Sequence, residues 1–243
     1  MENIRIQKFF TDNAVMSRRA AEAAIQDGRV SVNGETALIG QKIDPEQDVV
    51  TLDGKVIRPT NIQKTYIMLN KPRGYVTTLS DEQGRRTVAE LVQDCGARVY
   101  PVGRLDMDSE GLLLLTNDGE LTLRLTHPRH EIPKIYHVTI RGEIDDERLD
   151  KLKNVRRIDN YNLAPVGIHL LSRERGESCI EFTLYEGRNR QIRKMCQAVD
   201  LKITRLRRVA IGELKLGSLP CGKWQHLTQK QIDYLYGKEN QNA

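Results

Sequence analysis

The first part of the chain carries a helical hydrophobic pattern. Ile4, Phe9 and Phe10 predict the apolar side of a first helix. Ser17 precedes an alanine-rich segment and is placed to cap a second helix, which we expect to end before Gly28.

Short alternating segments follow these helices. Val30 and Val32 alternate with polar residues up to an Asn33-Gly34 pair, and residues 49–52 lead into Asp53-Gly54. Both pairs are typical of tight hairpin turns. Residues 1–60 are therefore predicted to form a small helix-and-strand domain, and residues 58–64 lack apolar periodicity and are predicted to be a linker.

The pattern changes after the linker to several apolar segments of strand length. Thr87 with Glu90, Asn189 and Thr228 are placed to cap helices that run through residues 91–92, 190–199 and 229–236. Numerous strands with irregularly spaced helices predict an α+β fold with a mixed, mostly antiparallel sheet over residues 65–238. The predicted strands are residues 66–69, 75–78, 112–115, 135–140, 179–184 and 201–206.

Composition narrows the class of protein. The 243 residues are 39% hydrophobic and 29% charged, and the longest aliphatic run is Leu112–Leu115, far below the ~20 residues of a membrane span. The first residues do not resemble a signal peptide, so we expect a cytoplasmic protein without membrane association. Four scattered cysteines and five histidines offer no metal-ligand spacing, so no metal and no other cofactor is expected.

Charge is unevenly distributed although the net charge is only +5. Residues 188–215 hold nine lysines and arginines against two acids, whereas residues 65–150 hold eleven against fifteen. This basic segment indicates either a solvated charged face or contact with a polyanion such as RNA.

A loop with three carboxylates runs directly into the apolar segment at residues 112–115. Asp106, Asp108, Glu110 and Gly111 imitate the start of a calcium-binding loop, but Asn117 stands where a bidentate glutamate is required. The acids could also form a solvated rim. In the third interpretation, one of them is a nucleophile or base, because a buried carboxylate needs a cation or a substrate as partner.

Four ordered motifs carry a resemblance that favours the third interpretation. The segments starting at Asn70, Gly103, Lys134 and Glu186 (NKPRG, GRLD followed by SEGLLLLTNDG, KIY, and EGRNRQIRKM) resemble the motifs of RNA pseudouridine synthases of the RsuA and RluB type. The segments SRRAAE from Ser17 and GRVSVNG from Gly28 resemble the S4 RNA-binding domain.

The resemblance implies a role for each motif residue. Asp106 would attack the sugar or the base, or abstract a ribose proton; these alternatives stay open, and each needs an ionised carboxylate beside a cation. Arg193 is the family position for that cation. Tyr136 would stack on the target base, Arg104 would occupy the space of the flipped nucleotide, and Lys134 would shape the cleft together with residues 71–72.

Further basic residues are predicted to contact RNA. They comprise three arginines of the S4-like segment and four residues of the basic segment. These residues are Arg18, Arg19, Arg29, Arg188, Arg190, Lys194 and Arg205.

The sequence thus predicts a monomeric, cofactor-independent pseudouridine synthase that acts on ribosomal RNA. Residues 17–22 and the chain after Gly222 resemble the RluB group, whose members modify the large subunit, more than the RsuA group, which acts on the small subunit. The alternatives are a non-catalytic RNA-binding ribosome assembly factor, which would not need Asp106, and a metal-dependent nuclease, which would need divalent ions.

Overall fold

The computed structural model describes residues 3–127, 132–174 and 176–238, and its contacts divide the chain into two compact units, Met1–Lys64 and Thr65–Ala243. No helix in the described ranges is long and apolar enough to cross a bilayer.

The first unit packs two helices on small antiparallel sheets. Ser17 Oγ accepts a hydrogen bond from Ala20 N at 3.2 Å, which confirms the predicted cap, and Phe9 and Phe10 lie in the core. Ile4 was expected on the first helix but pairs with Ile43 instead. The elements are β1 (Ile4–Arg5), α1 (Ile6–Asp12), α2 (Arg18–Gln26), β2 (Val30–Val32), β3 (Glu35–Thr36), β4 (Lys42–Ile43), β5 (Val50–Leu52) and β6 (Lys55–Ile57).

Both predicted turns of the first unit are formed. Asn33 and Gly34 have φ of 52° and 88°, and Asp53 and Gly54 have φ of 51° and 74°. Two consecutive positive φ values match the twist of a two-residue hairpin, which explains why asparagine, aspartate and glycine occupy them.

The second unit is built on one nine-stranded sheet. Its main order is β13-β14-β10-β15-β9-β7-β17, with β8 paired to β9 and β16 to β15. Every pairing is antiparallel except that of β15 with β9, which confirms the predicted mixed sheet. The elements are β7 (Tyr66–Lys71), a 3-10 turn (Val88–Leu91), β8 (Tyr100–Val102), β9 (Glu110–Thr116), α3 (Gly119–Thr126), β10 (Lys134–Arg141), α4 (Asp146–Lys153), β11 (Arg157–Ile158), β12 (Tyr161–Asn162), β13 (Gly167–Glu174), β14 (Glu177–Leu184), α5 (Gln191–Gln197), β15 (Ile203–Ile211), β16 (Leu214–Lys215), β17 (Trp224–His226) and α6 (Gln229–Leu235).

Strand β9 is apolar on both faces because both faces are covered. Leu112 and Leu114 pack in one cluster with α3 and α6, and Leu113 and Leu115 pack in another with β7 and the 3-10 turn. A strand buried on both sides has no polar alternation, which accounts for its four consecutive leucines.

Four local predictions for the second unit were wrong in detail. Residues 75–78 form only an isolated bridge, between Val76 and Thr87; Thr78 N bonds back to Val76 O in a tight turn, and the Thr77 side chain bonds to Leu105. Thr87 N donates to the Glu90 side chain, as the predicted capping box requires, but the segment that follows is a 3-10 turn and not an α-helix. β15 begins at Ile203 rather than at residue 201, and α5 begins after Arg190 rather than after Asn189, because Arg190 is left-handed.

Candidate active site

The loop between β8 and β9 is held from beneath by Lys71. This lysine at the end of β7 is 0% exposed, and its Nζ donates to the carbonyl oxygens of Pro72 at 3.1 Å, Asp106 at 3.0 Å and Ser109 at 2.8 Å. Burial lowers the pKa of Lys71 to about 8, although the nearby carboxylates act in the opposite direction. Two of these carbonyls belong to the loop, so one ammonium fixes its backbone at Asp106 and at Ser109.

The segment after β7 fixes the same loop at two more points. Thr77 Oγ1 donates to Leu105 O at 2.6 Å, and Gly74 N donates to Met107 O at 2.7 Å. The backbone on both sides of Asp106 is therefore bonded to residues 71–77. The NKPRG motif, which starts at Asn70, thus has a structural role, because its Lys71 and Gly74 hold the Asp106 loop.

Asp106 presents its carboxylate at the surface of a cleft. Its side chain is 37% exposed, and Arg190 Nη1 lies 3.5 Å from Oδ2. Its backbone oxygen is taken by Lys71 and by Ser109 N. The backbone is therefore fixed, while the carboxylate remains accessible to a substrate.

Two arginines of the third basic motif converge on Asp108. Arg190 binds its carboxylate with both Nη atoms, at 3.3 and 3.1 Å, and Arg193 Nη2 lies 3.1 Å from Oδ1 and donates to Asp108 O at 3.0 Å. Burial raises the pKa of Asp108, but the Arg190 hydrogen bond and the two positive charges outweigh it and keep that pKa below the usual value.

The expected ion pair between Arg193 and Asp106 is not formed in this structure. Arg193 bonds to Asp108 and Ser109, and Arg190 is the arginine that reaches Asp106. Arg190 stands directly before α5 and has φ 50°. Such a backbone conformation is costly for a side chain other than glycine and is typical of functional sites.

Tyr136 lies in the same cleft. It is partly buried on β10, opposite Arg208 of β15, whose guanidinium carbon is 6.0 Å from the tyrosine ring centre. The cleft has a volume of about 650 Å³, and Asp106, Tyr136 and Arg193 all line it. The structure thus brings together the three residues predicted to act on the substrate.

The predicted RNA-contacting residues of the second unit fall into two groups. Arg104, Arg188 and Arg190 line the cleft. Lys194 and Arg205 do not; Lys194 pairs with Asp159 at 2.6 Å and Arg205 with Glu110 at 2.6 Å. Arg188 also has a carboxylate partner, Glu186, at 3.0 Å, and lies over the Tyr161 ring.

In the first unit, Arg18 and Arg19 are exposed on α2. Arg29 is exposed as well but is bound by Asp53 through two hydrogen bonds of 2.8 and 2.6 Å. Arg18 and Arg19 are therefore accessible to a ligand, whereas Arg29 would have to leave Asp53 to bind an RNA phosphate.

Sequence reasoning missed Arg208. It is 5% exposed and lines the cleft, yet in the sequence it was only one of nine bases in a basic segment. The sequence pattern could have indicated it, because Leu206, Arg208 and Ala210 are alternate residues of one strand and therefore point to the same, buried face of the sheet. A charge on that face needs a specific environment.

Comparison with known proteins assigns this fold and site to a family. The family model described as RNA pseudouridylate synthase matches residues 65–198, and the S4 domain model matches residues 14–50. Across 238 residues the chain is 42% identical to an uncharacterized RNA pseudouridine synthase of Aquifex aeolicus (strain VF5), covering 97% of this chain and 95% of the relative. The chain belongs to the RNA pseudouridylate synthase family and carries an S4 domain.

A second relative and a solved structure agree along almost the whole chain. The ribosomal large subunit pseudouridine synthase B of Bacillus subtilis (strain 168) is 37% identical, with 95% of each chain covered. The crystal structure of a pseudouridylate synthase superposes with a TM-score of 0.68 at 29% identity, covering 96% of this chain and 99% of the other. The protein is therefore an isomerase that acts on uridine in RNA, which confirms the expected class.

Proposed function

We propose that this protein isomerises a uridine of large-subunit ribosomal RNA and that Asp106 carries the reaction. The observation that supports the site is the accessible Asp106 carboxylate, 3.5 Å from Arg190 in the cleft that also contains Tyr136. Large-subunit relatives of Bacillus subtilis (strain 168) and Yersinia pestis, both 37% identical, support the substrate. Such an enzyme would work as a monomer in the cytoplasm, where ribosomal RNA is available.

The chemistry needs no electron donor or energy source. The bond between C1′ and N1 breaks with its electron pair moving to uracil, the base rotates, and a new bond forms between C1′ and C5. C5 then loses its proton and N1 takes one up, so the product is an isomer of uridine. Asp106 would either bond covalently to the substrate or remove a ribose proton, with Arg190 beside its carboxylate.

The other residues of the cleft would position the flipped nucleotide. Tyr136 would stack against the uracil, a contact worth about 1–3 kcal/mol. Arg104, on the loop that carries Asp106, would fill the space that the base leaves in the RNA. Arg193 would hold the Asp106 loop through its bonds to Asp108 and Ser109.

RNA binding would extend over both units. Arg188, Arg190, Lys194 and Arg205 would contact phosphates next to the cleft, and Arg18, Arg19 and Arg29 would bind structured RNA from the S4 domain. Arg190 pairs with Asp106 and Asp108, and the four others that pair with a carboxylate would exchange Glu186, Asp159, Glu110 or Asp53 for phosphate. Binding of this kind depends strongly on salt.

The test uses unmodified transcripts of the two ribosomal RNAs and a count of pseudouridine after incubation with purified protein. We expect product on the large-subunit transcript, and a loss of at least about 1,000-fold for Asp106→Asn, because the amide is neither a nucleophile nor a base. Asp150→Asn, an exposed aspartate on α4, is the matched control and should keep full activity.

Two results would contradict the proposal. Product only on the small-subunit transcript would reject the substrate, and substantial activity of Asp106→Asn would assign the chemistry to another residue. Activity that disappears with chelator and returns with magnesium, for RNA that stays folded throughout, would revive the metal-dependent interpretation.

A further inference from the structure

Two cations of the cleft, Lys134 and Arg208, are at least partly buried and have no carboxylate partner among the described residues; Arg104 has none either but is exposed. Arg188, Arg190 and Arg193 each lie within 3.1 Å of an acidic oxygen. Lys134 and Arg208, which line the same cleft, form no ion pair with any residue that the structure describes.

The Arg208 guanidinium is held through Nε, and its Nη2 has no hydrogen-bond partner among the described residues. Its Nε donates to Leu112 O at 2.7 Å, across the parallel pairing of β15 with β9. Its Nη2 is buried and lacks a hydrogen-bond partner in the described part of the chain. The side chain is thus held in place beside Tyr136 while part of its donor capacity is unused.

Lys134 is the first residue of β10, two positions before Tyr136, which pairs with Arg208 of β15. It is partly buried, and its ammonium makes no hydrogen bond within the described residues. Burial, followed by the charge of Arg208, lowers the pKa of Lys134. Both cations are therefore at least partly desolvated and repel each other, and no carboxylate among the described residues offsets that cost.

We propose that Lys134 and Arg208 form an anion subsite that binds negatively charged oxygen of the target nucleotide. The proposal rests on the cleft being the isomerisation site. The subsite adds a binding role to Lys134, for which the sequence predicted only shaping of the cleft.

The target nucleotide offers this kind of oxygen in two places. One is a non-bridging oxygen of the phosphate next to the flipped uridine. The other is a uracil oxygen, which becomes anionic while the electron pair of the broken C1′–N1 bond resides on the base and returns to neutral when C5 bonds to C1′. Both need a fixed, desolvated pair of cations.

The test compares Lys134→Gln and Lys134→Arg with Lys230→Gln, an exposed lysine of α6 that serves as the matched control. We expect Lys134→Gln to fold with at least the stability of the parent, because a repelled and buried charge is removed. We expect it nevertheless to lose at least tenfold in single-turnover efficiency, the rate at saturation divided by Kd, and Lys134→Arg to recover most of that loss.

The two sources of oxygen give different kinetic signatures. If the subsite binds phosphate, Lys134→Gln should raise Kd and reduce the salt dependence of RNA affinity, by about 0.7 in the slope of log K against log salt for a single strand. If the subsite binds a uracil oxygen, Lys134→Gln should lower the saturated rate and leave Kd and the salt dependence unchanged. Arg208→Lys, which keeps the charge, should retain more activity than Arg208→Gln at equal stability.

A folded Lys134→Gln with parental rate and affinity would overturn the proposal, as would a loss of activity that Lys134→Arg does not restore. The assay is run on whichever ribosomal transcript the parent modifies. An error in the large-subunit assignment would therefore be detected with the parent protein, which would modify the other transcript. An error in the subsite proposal would be detected only by comparing the Lys134 variants with the parent.

Discussion

At the scale of single residues, the site depends on how the charges around two aspartates are divided. Asp108 takes three close contacts from Arg190 and Arg193, while Asp106 has one longer contact, from Arg190. Asp108 therefore anchors both arginines, and this leaves the Asp106 carboxylate available. An aspartate that the sequence placed at the rim is thus central to the organisation of the site.

Replacing each arginine by lysine should separate their roles. Arg193→Lys keeps the charge but loses the planar fork that bonds to Asp108 and Ser109, so we expect the saturated rate to fall about 100-fold through displacement of the loop. Its effect on the salt dependence of RNA affinity should be small. Single-turnover kinetics and RNA binding at several salt concentrations provide the measurement.

Arg190→Lys is the matched comparison, because Arg190 is more exposed and its charge can still reach both aspartates. We expect a smaller fall in rate than for Arg193→Lys. If Arg193→Lys instead weakened binding and flattened the salt dependence at an unchanged rate, Arg193 would be a phosphate contact.

At the scale of elements, the parallel pairing of β9 with β15 assembles the cleft. It places Glu110 and Gly111 beside Arg207 and Arg208, at the point where the Asp106 loop enters β9. Gly111 has φ +104°, and a Cβ there would lie 2.2 Å from Arg208 O and 2.9 Å from Arg208 N. Only glycine permits this approach of two backbones.

Gly111→Ala should therefore destabilise the protein by more than backbone strain alone. We expect the free energy of unfolding to fall by about 3 kcal/mol, from strain plus the clash with β15. Gly217→Ala is the control, since Gly217 also has positive φ (+58°) but open space around it, and should cost about 1 kcal/mol. Equal losses for the two variants in denaturant unfolding would show that β15 does not crowd Gly111.

At the scale of the whole molecule, each unit has its own hydrophobic core. One cluster is built from residues of the first unit alone, and three clusters are built from residues of the second unit. Asp106, Tyr136 and Arg193 all belong to the second unit. The catalytic site and the S4 domain are thus separable in sequence.

Deleting residues 1–60 should leave a folded catalytic unit that binds RNA less tightly. We expect Kd for the ribosomal transcript to rise at least tenfold, because the S4 contacts are lost, while the saturated rate stays within a few-fold of the parent. The full-length Arg18→Gln, Arg19→Gln double variant should reproduce part of the loss in affinity. A deletion variant that saturates with RNA but no longer reacts would show that the first unit contributes to the chemistry.

The sequence alone was sufficient where local chemistry decides the structure. It predicted the Ser17 and Thr228 caps and the two hairpin turns, since each depends on neighbouring residues. It also predicted most strands of the sheet and the motif that carries Asp106. It failed at residues 75–78, where β-branched composition indicated a strand but Thr77 bonds to the loop at Leu105.

The tertiary structure decided which charges meet. Arg190 and Arg193 are three residues apart on one segment, so the sequence could not tell which of them reaches Asp106, 84 or more positions away; in the structure it is Arg190. Arg208 became part of the site only through the packing of β15 against β9, and only the structure shows that Lys71 holds the Asp106 loop. Composition and periodicity specify elements and their buried faces, whereas ion pairs across the sheet depend on the path of distant backbones to within an ångström.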